Sequence, residues 1–225
     1  MKNILLMENL SNEAWCFDTF KHYIHPTDKV LIIPFSFHNI FNDKETTKED
    51  FDALYLGPNG KYYNGITKGF LAYGIPLENI RILHYFDPND KKQAKQFVQA
   101  ADIIYFTGGL PDLMMERLMA FDLLSTLENF SGILMGFSAG AMIQFKQTHI
   151  TPDKDYSCFS YMTGLNILKG FDIEVHYDQS PIMQESIQKV IQERHIPIYA
   201  IGDKGAVIID QDKKICLGDV HVFKS

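Results

Sequence analysis

The sequence predicts an α/β protein: a mostly parallel sheet with helices on both faces. Three observations point there. Short runs of consecutive apolar residues at 3–7, 29–34 and 102–106 read as strands buried on both sides. Helix-like segments at 12–23, 66–73 and 91–101 alternate with them, the pattern of strand–helix–strand crossovers. Near the middle, the apolar run 133–135 enters Gly136-Phe137-Ser138-Ala139-Gly140, a strand, a sharp turn and the start of a helix.

Taken in order, the strand at 3–7 is followed by the helix at 12–23, with Ser11 or Asn12 as its cap, and then by the strand at 29–34. Residues 37–64 are polar and aromatic without a clear period, and Gly57-Pro58-Asn59-Gly60 marks a turn. The helix at 66–73 stops at Gly74, and 79–84 reads as a third strand. Residues 91–101 form an amphipathic helix with Phe97 and Val98 inward, and the strand at 102–106 ends in Thr107-Gly108-Gly109. A helix at 112–119 has Pro111 near its start. After the turn at Ser138, residues 139–145 continue as helix and 151–155 as loop. A strand at 171–176, a helix at 186–195 preceded by Ser180-Pro181, and short strands at 198–201, 206–209 and 214–217 close the chain. With no repeat, low-complexity tract or linker, residues 1–225 read as a single domain.

Composition narrows the function. Hydrophobic content of 46% and charged content of 22% are ordinary for a globular chain of 225 residues. The net charge of −7 and a pI near 5.6 argue against nucleic acid or an anionic membrane as main partner. The apolar start, Ile4-Leu5-Leu6-Met7, is too short for a signal peptide, and no stretch approaches a membrane span. Cys16, Cys158 and Cys216 are scattered and form no C-x-x-C pair, which fits a reducing cytoplasm and small buried side chains. The sequence leaves a homo-oligomer open.

The pattern G-x-S-x-G answers a specific chemical need. A serine hydroxyl is a poor nucleophile and must be pushed out of the backbone toward a base; a tight strand-to-helix turn does so, and only small residues fit two positions either side. Gly136 and Gly140 occupy those positions, and the Ala139 N–H then faces the place where an oxyanion would form. Alone the motif is also compatible with a tight turn of no catalytic role. In an open α/β sheet, sites gather at the carboxyl ends of strands. Gly108 and Gly109 fall there as oxyanion-hole candidates, and so does His176. Among eight histidines, His38 and His84 also follow strands, and His149 follows the turn, but His176 ends a strand and opens a loop, the best place for a base. Asp203 and Asp153 are candidates for the carboxylate that orients it; Asp178 lies awkwardly close.

In order and spacing, Phe106-Thr107-Gly108-Gly109, Gly136-Phe137-Ser138-Ala139-Gly140-Ala141, Val175-His176-Tyr177 and Ala200-Ile201-Gly202-Asp203 resemble the aspartyl dipeptidase (peptidase E) and cyanophycinase family of serine peptidases. The resemblance spans nearly the whole chain. It implies a fold like class I glutamine amidotransferases, with serine where those enzymes have cysteine. It implies Ser138 as nucleophile, His176 as base, and Gly109 and Ala139 as oxyanion donors. The substrate would be a small peptide, with no metal and no organic cofactor. Asp203 stands where the family usually has glutamate, one methylene longer, and Asp153 stands where a catalytic aspartate has been assigned in family members. Leu110-Pro111 replaces the asparagine and small polar residue common after Gly-Gly, which bears on substrate preference. No lysine or arginine matches an acidic-side-chain pocket, Lys146 and Lys204 reading as solvated.

Two alternatives differ in class. An α/β-hydrolase esterase shares G-x-S-x-G but runs serine, acid, then a histidine near the C-terminus, which would nominate His221. A non-catalytic binding or regulatory protein on the amidotransferase-like scaffold is the other, motivated by Asp203 and Leu110-Pro111.

Overall fold

The structure, a computed structural model, describes residues 1–8, 15–38 and 46–224; the expected cap at Ser11 or Asn12 lies outside them. In chain order the elements are β1 (Lys2–Leu6), α1 (Phe17–Phe20), β2 (Val30–Ile33), α2 (Lys48–Tyr55), α3 (Tyr63–Ala72), β3 (Ile80–Ile82), α4 (Pro88–Ala100), β4 (Ile103–Phe106), α5 (Pro111–Ala120), α6 (Leu124–Glu128), β5 (Ile133–Phe137), α7 (Ala139–Met142), β6 (Gln147–Ile150), β7 (Ser160–Thr163), β8 (Asp172–Val175), α8 (Pro181–Arg194), β9 (Ile198–Asp210) and β10 (Lys213–Phe223).

The main sheet runs in the order β10-β9-β1-β5-β4-β2-β3. From β1 to β3 every pairing is parallel, while β9 lies antiparallel to β1 and β10 antiparallel to β9. All of β2 and β4 is buried, as expected of parallel strands covered on both faces. On one face, Ile4, Leu6, Ile32, Tyr105 and Met135 pack with Phe20 of α1, Phe51 of α2 and Phe70 of α3. On the other, Leu31, Ile104, Phe106 and Leu134 pack with Val98 of α4, Met114 of α5 and Leu127 of α6. The alternation of side chains along each strand thus feeds two separate cores.

Several boundaries differ from the sequence reading, each for a local reason. Thr47 and Asp50 form a capping box that starts α2 inside a stretch without visible period. The Asp87 carboxylate accepts from the Asn89 N–H at 2.8 Å, and Pro88 follows at the first helical position, so α4 begins before residue 91. Pro181 likewise starts α8 ahead of residue 186. The helix expected over 139–145 is confined to the short α7, and β6 and β7 form an antiparallel hairpin on either side of the expected loop at 151–155. The strands expected at 198–201 and 206–209 are one strand, β9, which pairs first with β8 through 198–201 and then with β1 through 206–210.

Candidate active site

The carboxyl ends of β2, β4, β5 and β8 open on a cleft of about 540 Å³, lined by Ser36, Gly108, Gly109, Phe137, Ser138, Asp153 and His176 among others. Ser138 stands at the turn between β5 and α7 with φ 52° and ψ −113°, a strained conformation for a residue with a side chain. The turn is closed so tightly that a Cβ on Gly136 would lie 2.0 Å from the Gly140 carbonyl oxygen, and one on Gly140 would lie 2.4 Å from the Phe106 carbonyl oxygen. Packing of the elbow against β4 therefore holds the strain, and the Ser138 N–H is tied to the Leu6 carbonyl of β1 at 3.0 Å.

The Ser138 hydroxyl lies 2.9 Å from His176 Nε2, and His176 Nδ1 lies 2.6 Å from an Asp203 carboxylate oxygen. A carboxylate only accepts, so Nδ1 carries the proton; Nε2 of the neutral ring then accepts from the serine. His176 follows β8 directly and takes a positive φ of 53°, which turns the ring back over the sheet edge. Phe137 meets that ring edge-on at 5.9 Å between centroids.

Asp203 reaches the ring through an irregularity in β9. Gly205 pairs with Gly218 and Ile201 with Val220, so residues 202–204 of β9 stand opposite Asp219 alone. Such a bulge bends the strand and re-aims its side chains. It sits where β9 passes from β8 to β1, with the Met7 N–H bonded to the Gly205 carbonyl at 2.9 Å. The backbone comes close enough for the shorter aspartate to make the contact.

Gly108 and Gly109 follow β4. Gly109 has φ +138°, and a Cβ there would lie 2.3 Å from the Ser36 carbonyl oxygen, so only glycine fits. The Ala139 N–H heads α7, where no intrahelical acceptor exists. The cleft thus gathers a serine hydroxyl, an oriented imidazole and backbone amides, the parts used in acyl transfer.

Other expectations end elsewhere. Asp153 lines the cleft, but one of its oxygens accepts from the N–H groups of Asp155 and Tyr156 within its own loop, each at 2.8 Å. His221 bonds Asp219 at 3.0 Å and packs against Tyr177, while the Ser138 hydroxyl pairs with His176, against the esterase arrangement. His149 is buried between Asp172 and Glu174, and His84 donates to Asp52 while its other nitrogen accepts from the Phe86 N–H. His38 lines the cleft. The lysines in the cleft wall are Lys61 and Lys154 rather than Lys146 or Lys204. Ser36 was missed; its place just past the end of β2 was the available signal. Among the described residues no group of three or more His, Cys, Asp or Glu could hold a metal ion, and no helix is long and apolar enough to cross a membrane.

The profile of peptidase family S51 matches residues 52–217. The chain belongs to peptidase family S51. It is accordingly a serine peptidase, a hydrolase of peptide bonds. Solved structures with the same fold include a candidate peptidase E protein from Listeria monocytogenes EGD-e, at 19% identity and TM-score 0.64 over 96% of each chain. A peptidase from an acI-B1 actinobacterium is similar at 18% identity and TM-score 0.63, over 99% of this chain and 90% of that one. No curated protein matches the sequence significantly.

Proposed function

We propose that this S51 member is a dipeptidase-like enzyme that cleaves small peptides through an acyl-enzyme on Ser138. The observation that carries the reading is the continuous hydrogen-bonded series from Asp203 through His176 to Ser138 inside the cleft. As the Ser138 oxygen attacks the scissile carbonyl, His176 Nε2 takes its proton, and Asp203 stabilises the imidazolium. The Gly109 and Ala139 N–H groups receive the negative charge that develops on the carbonyl oxygen; losing either donor raises the barrier by roughly 2.7–4 kcal/mol. Collapse breaks the C–N bond, His176 returns its proton to the leaving amine, and water then releases the acid by the same route.

The cleft has the size of a small-ligand site. Its wall carries Lys61 and Lys154 beside Asp153 and Asp155, with Lys154 Nζ 4.0 Å from an Asp155 carboxylate oxygen, so its charges are mixed. The size supports a short peptide over an extended one. The test is a hydrolysis profile across Asp-Xaa dipeptides, other dipeptides, longer peptides and simple esters. Dipeptides are expected to be cleaved fastest, and efficient cleavage confined to longer chains or esters contradicts the reading.

A further inference from the structure

The loop that carries Gly108 and Gly109 is held from below by residues outside the catalytic set. The Ser36 hydroxyl donates to the Gly108 carbonyl at 2.5 Å and lies 2.9 Å from the Thr107 hydroxyl. The Leu110 N–H donates to the Ser36 carbonyl at 3.0 Å. Ser36 therefore grips the glycine pair on both sides, and the absence of a Cβ on Gly109 is what lets the two backbones meet.

Ser36 is in turn held by Arg117. Arg117 Nη1 donates to the Phe35 carbonyl at 2.7 Å and to the Phe37 carbonyl at 2.6 Å, the residues on either side of Ser36. The guanidinium carbon lies over the Phe37 ring, 3.7 Å from its centroid, and 5.3 Å from the Tyr85 centroid. A partly buried arginine that gives its hydrogen bonds to carbonyls instead of a carboxylate is fixing backbone. Its helix, α5, begins at Pro111, with only Leu110 between it and the glycine pair. The chain thus closes a circuit: β4, Gly108-Gly109, α5, Arg117, the Phe35–Phe37 backbone, Ser36, and back to the glycine pair.

We propose that Ser36 and Arg117 are positioning residues that fix the Gly109 N–H for the oxyanion formed at Ser138. This rests on the assignment of Ser138, His176 and Gly109 made above. A rigid donor stabilises developing charge without reorganisation, so a loosened one loses rate even though it is still present.

The test is the second-order rate at which a fluorophosphonate labels the full-length protein across pH, with thermal melting in parallel. The phosphoryl oxygen of the probe occupies the oxyanion site. Ser36→Ala and Arg117→Met are each expected to lower the limiting rate about 10–100-fold, less than the roughly 10²–10³-fold of losing a donor outright. The pH midpoint of labelling is expected to stay at the wild-type value, because His176 is untouched. Arg117→Lys, which keeps a cationic donor, is expected to recover part of the rate. If Arg117→Met does not fold, Ser36→Ala, which removes one hydroxyl, carries the test. Folded variants labelled at the wild-type rate overturn the proposal and leave the Ser138 assignment standing. A lower rate with a shifted midpoint also overturns it, since the effect then runs through His176. A wild-type protein that is not labelled at Ser138 brings down both.

Discussion

Asp203 is the residue whose chemistry is least ordinary. Its carboxylate approaches His176 at 2.6 Å, yet its side chain is 80% exposed, unlike the buried aspartate of many triads. Water screens such a pair, so its contribution to the imidazolium is smaller than in a dry site. Asp203→Asn is therefore expected to lower kcat by less than the roughly 10⁴-fold seen for a buried triad aspartate, measured on the best dipeptide from the substrate profile. A full 10⁴-fold loss would show that Asp203 is buried once substrate fills the cleft. Asp203→Glu restores the length expected at this place, but the β9 bulge already delivers the aspartate, so the added methylene displaces the carboxylate. A misplacement on that scale costs up to roughly 10²-fold; a variant faster than wild type contradicts this account of the bulge.

At the scale of elements, the strand-to-helix elbow is the feature that accepts least change. Gly136→Ala would place a methyl 2.0 Å from the Gly140 carbonyl oxygen, a backbone atom with nowhere to move. The expected result is a loss of about 1–3 kcal/mol in urea unfolding, as for other overpacked sites. Fluorophosphonate labelling is expected to fall further than that stability loss explains, because the turn opens at Ser138. This element was legible in the sequence because its constraints are local: a buried strand, two glycines at fixed spacing and a serine between them. Ser138, His176 and Asp203 could be nominated because each sits at or just past the end of an apolar run in the sequence. Ser36 offered only its place just past β2, and Arg117 offered nothing, since their contacts join the segment after β2 to the end of β4 and to α5 across 71 to 82 residues. The same applies to the continuity of β9, whose apolar runs are interrupted by the bulge, and to the β6–β7 hairpin, whose strand Gln147-Thr148-His149-Ile150 carries no apolar run.

Across the whole molecule, β6, which follows the elbow and α7, is tied to β8, which leads directly into His176, by a buried ionic cluster. His149 of β6 lies 3.0 Å from both Asp172 and Glu174 of β8. Thr148 and Arg194 also bond Asp172, each at 2.7 Å, and Thr151 bonds Glu174 at 2.6 Å. Burial alone would favour a neutral imidazole, but the hydrogen bonds and negative charge of Asp172 and Glu174 outweigh it and push the His149 pKa up to about 9. The protonated ring and Arg194 then balance the two carboxylates. Because the folded value lies above the unfolded value of 6.5, this cluster stabilises the fold fully below pH 6.5. That stability is lost as pH rises toward 9, with a slope of at most about 1.4 kcal/mol per pH unit for one proton. Urea unfolding between pH 6 and 10 is expected to show this fall, and His149→Gln to flatten it while lowering stability throughout; a wild-type profile flat to pH 10 contradicts the assignment. The most direct measurement of the central claim is peptide mapping of the full-length protein after fluorophosphonate treatment. The account predicts a single adduct on Ser138, absent in Ser138→Ala and nearly absent in His176→Ala. An adduct on another residue, or labelling undiminished by His176→Ala, contradicts it.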